Sequence, residues 1–187
     1  MKNFSIKTII ISVIGLLLVL FVWSSYNSLT RASIAVDTQW AQVETVYQRR
    51  FDLIPNLVAS VQGIMKQEKE VFLAIADART RYSGAVTPSD KAAAASQVEG
   101  ALGRLLVITE NYPTLKSSDA VQSLMAQLEG SENRISVERN RYNQEVSAYN
   151  LMTKTFPKNL LAKLFGFSEK SFFKADAPAS SAPKVNI

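Results

Sequence analysis

An all-α protein with a single transmembrane helix at its N-terminus is the fold class the sequence predicts, and three features predict it. No charged residue lies between Lys7 and Arg31. Beyond Arg31, apolar residues recur at steps of three and four, the period of a helix that buries one face. Breakers are scarce: there are 7 glycines and 6 prolines in 187 residues, and the prolines fall mostly at segment boundaries and in the tail. That distribution favours long helices over many short strands.

The first element is the anchor. TIIISVIGLLLVLFVW, Thr8 to Trp23, is almost wholly apolar. With Phe4–Ile6 before it and Ser24–Tyr26 after it, the stretch reaches the roughly 20 residues a membrane helix needs. Lys7 can extend its amine back to the headgroups, and Trp23 and Tyr26 suit the opposite interface. Cleavage as a signal peptide would have to use Val22 and Ser24, but bulky Trp23 and Tyr26 surround them, so an uncleaved anchor is expected. Lys2, Lys7 and the terminal amine flank one side, against Arg31 and then Asp37 on the other. The positive-inside rule puts the N-terminus in the cytoplasm and the rest of the chain in the periplasm or outside.

The next stripe runs Val36, Trp40, Val43, Tyr47, Ile54, Val58, Val61, Met65, Phe72 and Ile75, and helical character is expected to continue to Arg81. A straight helix from Arg31 to Arg81 would span ~75 Å, more than twice its Asp90–Asn111 neighbour. Matched helices are easier to pack if this segment kinks or splits. Pro55 is the hinge where that would happen, because it lacks an N–H for the Phe51 carbonyl and its ring clashes with that carbonyl. Thr87 caps the following helix with Pro88 at its first position and Asp90 in its first turn. Pro113 disfavours a helical Tyr112 and ends it. A third long helix, capped by Ser117 or Ser118, carries the seam Val121, Met125, Leu128, Glu132, Ile135, Arg139, Tyr142, Val146, Tyr149, Met152 and Phe156 straight across Gly130. The organisation is therefore residues 1–30 tail and anchor, 31–156 helical domain, 157–175 an apolar and basic segment, and 176–187 an Ala/Ser/Pro-rich tail expected to be disordered.

Composition narrows the chemistry. Histidine and cysteine are absent, so Ser-His-Asp and Cys-His centres cannot be built and Cys/His zinc sites are excluded. No catalytic residue, cofactor site or metal site is assigned. No GxGxxG or Walker pattern supports nucleotide binding. The net charge of +5 is uneven: residues 1–31 hold three bases and no acid, residues 32–153 twelve bases and fourteen acids, and residues 154–187 six lysines against Glu169 and Asp176. A slightly acidic middle argues against nucleic-acid binding.

Charges in the seam are the informative ones. Arg50, Glu68, Glu132 and Arg139 fall in or beside buried stripes, with Arg49, Asp52 and Arg134 close by. Buried charges persist only when paired. These residues are read first as a polar lock that fixes helix pairing, and second as an Arg-lined cleft for an anion or a partner's carboxylate. In the tail, Phe165, Phe167, Phe172 and Phe173 with Lys170 and Lys174 suit a lipid interface or, equally, a cap over the end of the helices.

The segments YNSLTRA, WAQVETVYQRRFDLIPNLVASVQG, ENYPTLKS, SENRISVERNRYN and FGFSEKSFF, in this order, resemble the LemA family over nearly the whole chain. The resemblance implies a bacterial single-pass protein of the inner (cytoplasmic) membrane, with an antiparallel up-and-down bundle of four helices. It supplies no catalytic residues. A more basic residue at Gln62 and a histidine at Gln67 would fit the family pattern better, and the absence of that histidine argues against a shared histidine-based activity. The expected function is a membrane-anchored, non-catalytic scaffold or adaptor of the envelope. Its partners would be the membrane and an envelope protein. Surplus seam residues also allow pairing between copies of the chain.

Overall fold

The computed structural model describes residues 6–173, and the account below concerns those residues. The protein is helical, with no strand among the described residues. Six helices follow one another: α1 Ile6–Gln62, α2 Lys69–Gly84, α3 Pro88–Thr109, α4 Pro113–Lys116, α5 Asp119–Lys154 and α6 Lys158–Leu164. One helix among the described residues, α1, contains a window long and apolar enough to cross a membrane, and none of that window is buried against protein.

The break in the first long segment does not fall at Pro55. α1 runs unsplit through Pro55, which is exposed while Phe51, Ile54 and Leu57 are buried around it. A proline on the outer side of a helix loses one hydrogen bond, but water can satisfy the freed carbonyl, and the buried face holds the helix together. The chain instead leaves the helix at Gly63–Glu68, so helicity is not continuous to Arg81. Val61 O still accepts from Met65 N (2.9 Å), and Met65 is fully buried. Between Met65 and Val71 the sequence reads Lys-Gln-Glu-Lys-Glu. With no apolar side chain there to hold a seam in place, burial does not enforce the helix.

The later boundaries follow the local chemistry. Thr87 Oγ1 accepts from Asp90 N (3.1 Å) and donates to the Asp90 carboxylate (2.7 Å), with Pro88 opening α3. Pro113 begins the one-turn α4 rather than extending α3. α5 is continuous across Gly130.

The chain forms two compact units, and α1 and α5 contribute to both. The larger comprises Trp40–Tyr142 with Phe172 and Phe173. Within it, α1 and α3 run in the same direction, since Glu44 pairs with Lys91 and Arg50 with Glu99. α5 runs opposite to α1: Trp40 meets Tyr142, Tyr47 meets Arg139 and Arg50 meets Glu132. α2 packs beside α3. It also sends Tyr82 against the rings of Phe51 (4.3 Å) and Tyr47 (5.6 Å). The core is Val43, Tyr47, Phe51, Ile54, Leu57, Val61 and Met65 from α1 and its end, Ile75 from α2, Ala95, Val98, Leu102 and Leu105 from α3, and Leu128 and Ile135 from α5, with Leu115 of α4.

The smaller unit joins α1 up to Gln39 with Asn143–Ser171. Leu29 and Val36 of α1 are buried there, as are Val146 and Tyr149 of α5 and Ala162 of α6. Phe156, expected to end the seam, is instead exposed in the connection between α5 and α6. The seam's period is helical, and α5 ends at Lys154, before it could place Phe156 inward.

Two outcomes follow from these contacts. Thr87→Ala should lower stability by about 1 kcal/mol, the usual cost of a lost N-cap, read from thermal unfolding of the full chain in detergent. The second concerns alkali. Burial pushes the Tyr82 phenol up to about 12, with the Glu44 carboxylate adding to the shift. The unfolded phenol ionises first, near its ordinary value of 10.0, so the folded state binds the proton more tightly. Stability from this group is full below pH ~10 and is lost as pH rises towards ~12. Tyr82→Phe should therefore lose stability less steeply than the parent across that window.

Candidate functional site

Three helices of the larger unit bring charged side chains to one place. Arg50 of α1 is buried and pairs with Glu132 of α5 and, at 3.6 Å, with Glu99 of α3. Arg139 of α5 donates through Nη2 to Glu99 Oε1 (2.8 Å) and through Nε to the Tyr47 hydroxyl (2.7 Å). Its guanidinium also lies 5.5 Å from the Tyr47 ring centre and 5.4 Å from that of Phe173. Two arginines thus face two carboxylates among the described residues. Glu99 is the centre of this cluster, because among the described residues it contacts both guanidinium groups. Its side chain is 18% exposed, against 44% for Glu132.

Tyr47 is the neutral member. Burial raises its phenol well above the ordinary value, and Glu99 and Glu132 raise it further. The Arg139 charge and hydrogen bond pull the other way without overcoming burial. A group poised for acid–base chemistry is tuned towards neutrality. Tyr47 is tuned away from it and serves as a hydroxyl acceptor for Arg139.

The sequence-derived set therefore divides. Arg50, Glu132 and Arg139 meet as one cluster. Glu68 stands apart, accepting a long hydrogen bond from the Tyr112 hydroxyl (3.4 Å). Asp52 is exposed and accepts from Gln48 Nε2 one turn earlier (2.9 Å). Arg49 and Arg134 are exposed and line a separate cavity of about 160 Å³ between α1 and α5, with Gln127, Gly130 and Ser131. Glu99 is the residue sequence reasoning missed. The available signal was its isolation: between Asp90 and Glu110 it is the only acid, set one position after the seam residue Val98. Among the described residues no group of three or more His, Cys, Asp or Glu side chains could hold a metal ion.

The segment after α6 is placed by a reversal. Gly166 adopts a positive φ of 76°, and Phe167 N donates back to Ala162 O (2.9 Å). This is the glycine C-cap geometry, in which a side chain would be strained. The chain then runs along α1 and α5 within the smaller unit. Asn150 grips the main chain of Lys170 twice, donating from Nδ2 to its carbonyl (2.9 Å) and accepting at Oδ1 from its N–H (2.9 Å). The Lys170 ammonium reaches Asp37 Oδ1 (2.5 Å) and Ser33 O (3.2 Å), and lies 5.5 Å from the Tyr149 ring centre. Phe165 and Phe167 both meet the Tyr26 ring, at 5.1 and 5.8 Å. In the larger unit Phe173 stacks on Trp40 (5.4 Å) and meets Tyr142 edge-on (5.3 Å). Of the tail residues marked for lipid, Lys170, Phe167 and Phe173 are thus engaged with the protein. Phe165 and Phe172 stay roughly half exposed, and Lys174 lies outside the described residues.

Comparison with known proteins matches residues 39–187 to the LemA family. Magnetosome protein MamQ 2 and Magnetosome protein MamQ 1 of Paramagnetospirillum magneticum strain AMB-1 are each 28% identical over 186 residues, covering 86% of this chain and 68% of the relative. Magnetosome protein MamQ of Magnetospirillum gryphiswaldense strain MSR-1 is 35% identical over 85 residues, 46% of this chain and 31% of the relative. The matched region takes in the larger unit's helices, the charge cluster and the C-terminal segment: the chain belongs to the LemA family.

Proposed function

We propose that this protein is a membrane-anchored, non-catalytic helical scaffold of the bacterial envelope, whose helices present a surface to a partner protein. In this reading α1 crosses the inner membrane with its N-terminus in the cytoplasm. Residues 31–156 form an up-and-down bundle on the far side. The observation that carries the proposal is the charge cluster. Arg50, Arg139, Glu99 and Glu132 spend their charges on one another across α1, α3 and α5. Buried arginines neutralised in this way fix which helices pair and in which register. Their charges are met within the cluster, although the buried Arg50 Nε–H has no hydrogen-bond partner among the described residues. The unburied apolar window of α1 supports the anchor, and family membership supports a membrane-associated, non-enzymatic role.

A second reading has its own observation. Arg49 and Arg134 flank the small cavity beside Gln127 and Ser131 with no carboxylate among its lining residues. Such a pair suits an anion or a partner's carboxylate, as an envelope sensor would need. Phosphate, sulfate and citrate distinguish the two. The scaffold reading expects no change in melting temperature, whereas a rise abolished by Arg134→Ala would favour the sensor.

Two further outcomes test the main reading. Glu99→Ala should cost about 3 kcal/mol, since it leaves a buried guanidinium short of countercharge. Glu132→Ala should cost less, about 2 kcal/mol: Arg50 loses its hydrogen-bonded carboxylate but keeps Glu99 at 3.6 Å, and Glu132 itself is partly solvated. Thermal unfolding of the full chain in detergent checks the order, and equal losses would remove Glu99 from the centre of the lock. Topology is read from Ser123→Cys, an exposed site on α5 in a chain without native cysteine. A membrane-impermeant maleimide should label it in intact cells with the outer membrane made permeable. Labelling only after lysis of the inner membrane would overturn the orientation.

A further inference from the structure

α6 and its flanking residues expose an unusual amount of apolar surface. Phe156 is 75% exposed, Leu160 60%, Leu164 74% and Phe165 44%. Leu160 and Leu164 lie one turn apart and share a face of α6. Single exposed apolar residues are ordinary, but four within ten positions of one short segment form a patch. The opposite side of α6 is engaged: Ala162 is buried, and Lys158 donates to Ser28 Oγ of α1 (3.1 Å).

The location of the patch identifies its occupant. Phe165 sits edge-on to Tyr26, 5.1 Å between ring centres. Together with Leu18, Val19, Val22, Trp23 and Tyr26 it lines an open, almost wholly apolar groove of about 560 Å³. Those five residues are the last turns of the apolar stretch, where Trp23 and Tyr26 have the chemistry of a membrane–water boundary. The apolar surface of α1 therefore extends to Phe165 at the end of α6, and Leu164, the residue before it, is exposed. Lys163, exposed three positions after Leu160, can meet lipid phosphate as Leu160 and Leu164 enter the acyl boundary.

We propose that α6 is a second lipid contact: Phe156, Leu160, Leu164 and Phe165 rest in the headgroup–acyl boundary, and a phospholipid acyl chain fills the groove between Phe165 and Leu18–Tyr26. The proposal rests on the reading of α1 as a membrane anchor. It relocates the tail's lipid contact from Lys170, Phe167 and Phe173, which hold the C-terminal segment onto the protein, to the reversal before them.

The test uses the full chain in phospholipid vesicles and its lack of native cysteine. Single-cysteine variants Ile14→Cys, Leu164→Cys and Val137→Cys, all at exposed positions, are labelled with a polarity-sensitive fluorophore. Emission is then compared with and without lipids spin-labelled near the head of the acyl chain or near its methyl end. The proposal expects Leu164→Cys to lose emission mainly to the shallow label, Ile14→Cys to lose it to at least one label, and Val137→Cys to keep it. If Ile14→Cys is quenched while Leu164→Cys behaves like Val137→Cys, the α6 contact is overturned and the anchor stands. If Leu164→Cys is shielded from both lipid labels and from aqueous iodide, protein covers the patch, and the proposal fails in favour of a second copy or another partner. If Ile14→Cys keeps its emission, the anchor reading falls and the α6 proposal with it.

Discussion

A charged group inside a helical seam has to find its countercharge there, and the larger unit depends on that constraint. Arg50 lies on the buried face of α1, where solvent cannot neutralise it. Glu132 alone would hold α5 to α1, and Glu99 alone would hold α3. By accepting from Arg139 while facing Arg50, Glu99 makes the two attachments one arrangement. Apolar contacts such as those of Val43, Leu57 and Ile135 supply most of the driving force, but they are indifferent to small slips along a helix. The guanidinium–carboxylate contacts are directional and set the register that the apolar contacts leave free. Tyr47 extends the same logic, since its hydroxyl satisfies the Arg139 Nε–H, which faces neither carboxylate.

The sequence disclosed most of the secondary structure because helical periodicity is carried by single residues. Val36, Val43, Tyr47, Ile54, Val61 and Met65 are all buried as their spacing requires. The cap at Thr87 is local chemistry and falls where expected, and α3 ends at Thr109, shortly before Pro113, which opens α4. Of the split or kink that proline chemistry allows at Pro55, the split does not occur, because a proline's effect on a helix depends on the face it occupies. Pro55 points outward, where a missing hydrogen bond is tolerable. The real interruption is marked by something weaker, a polar run too short to look like a loop.

The charge cluster was legible in part, for a different reason. Spacing along one chain places Arg50, Glu132 and Arg139 on buried faces, but pairing is a property of three helices together. Glu68 also sits in the stripe, yet it lies in the connection before α2 and finds Tyr112 instead. Glu99 is displaced by one position from its seam and so escapes a search for charges in phase. The tail posed a similar problem. Its aromatic and basic composition fits lipid and protein equally well, and only the turn at Gly166 decides which residues face which.

Asn150 holds the returning segment by its peptide group rather than by a side chain. Main-chain recognition is blind to residue identity, so position 170 can vary among most amino acids and still be gripped, proline excepted for want of an N–H. Position 150 has no such latitude, because few side chains offer a donor and an acceptor side by side at that reach. The main-chain half of this clasp therefore rests on one asparagine in α5, while the side-chain half, from Lys170 to Asp37 and from Phe167 to Tyr26, does depend on residue identity.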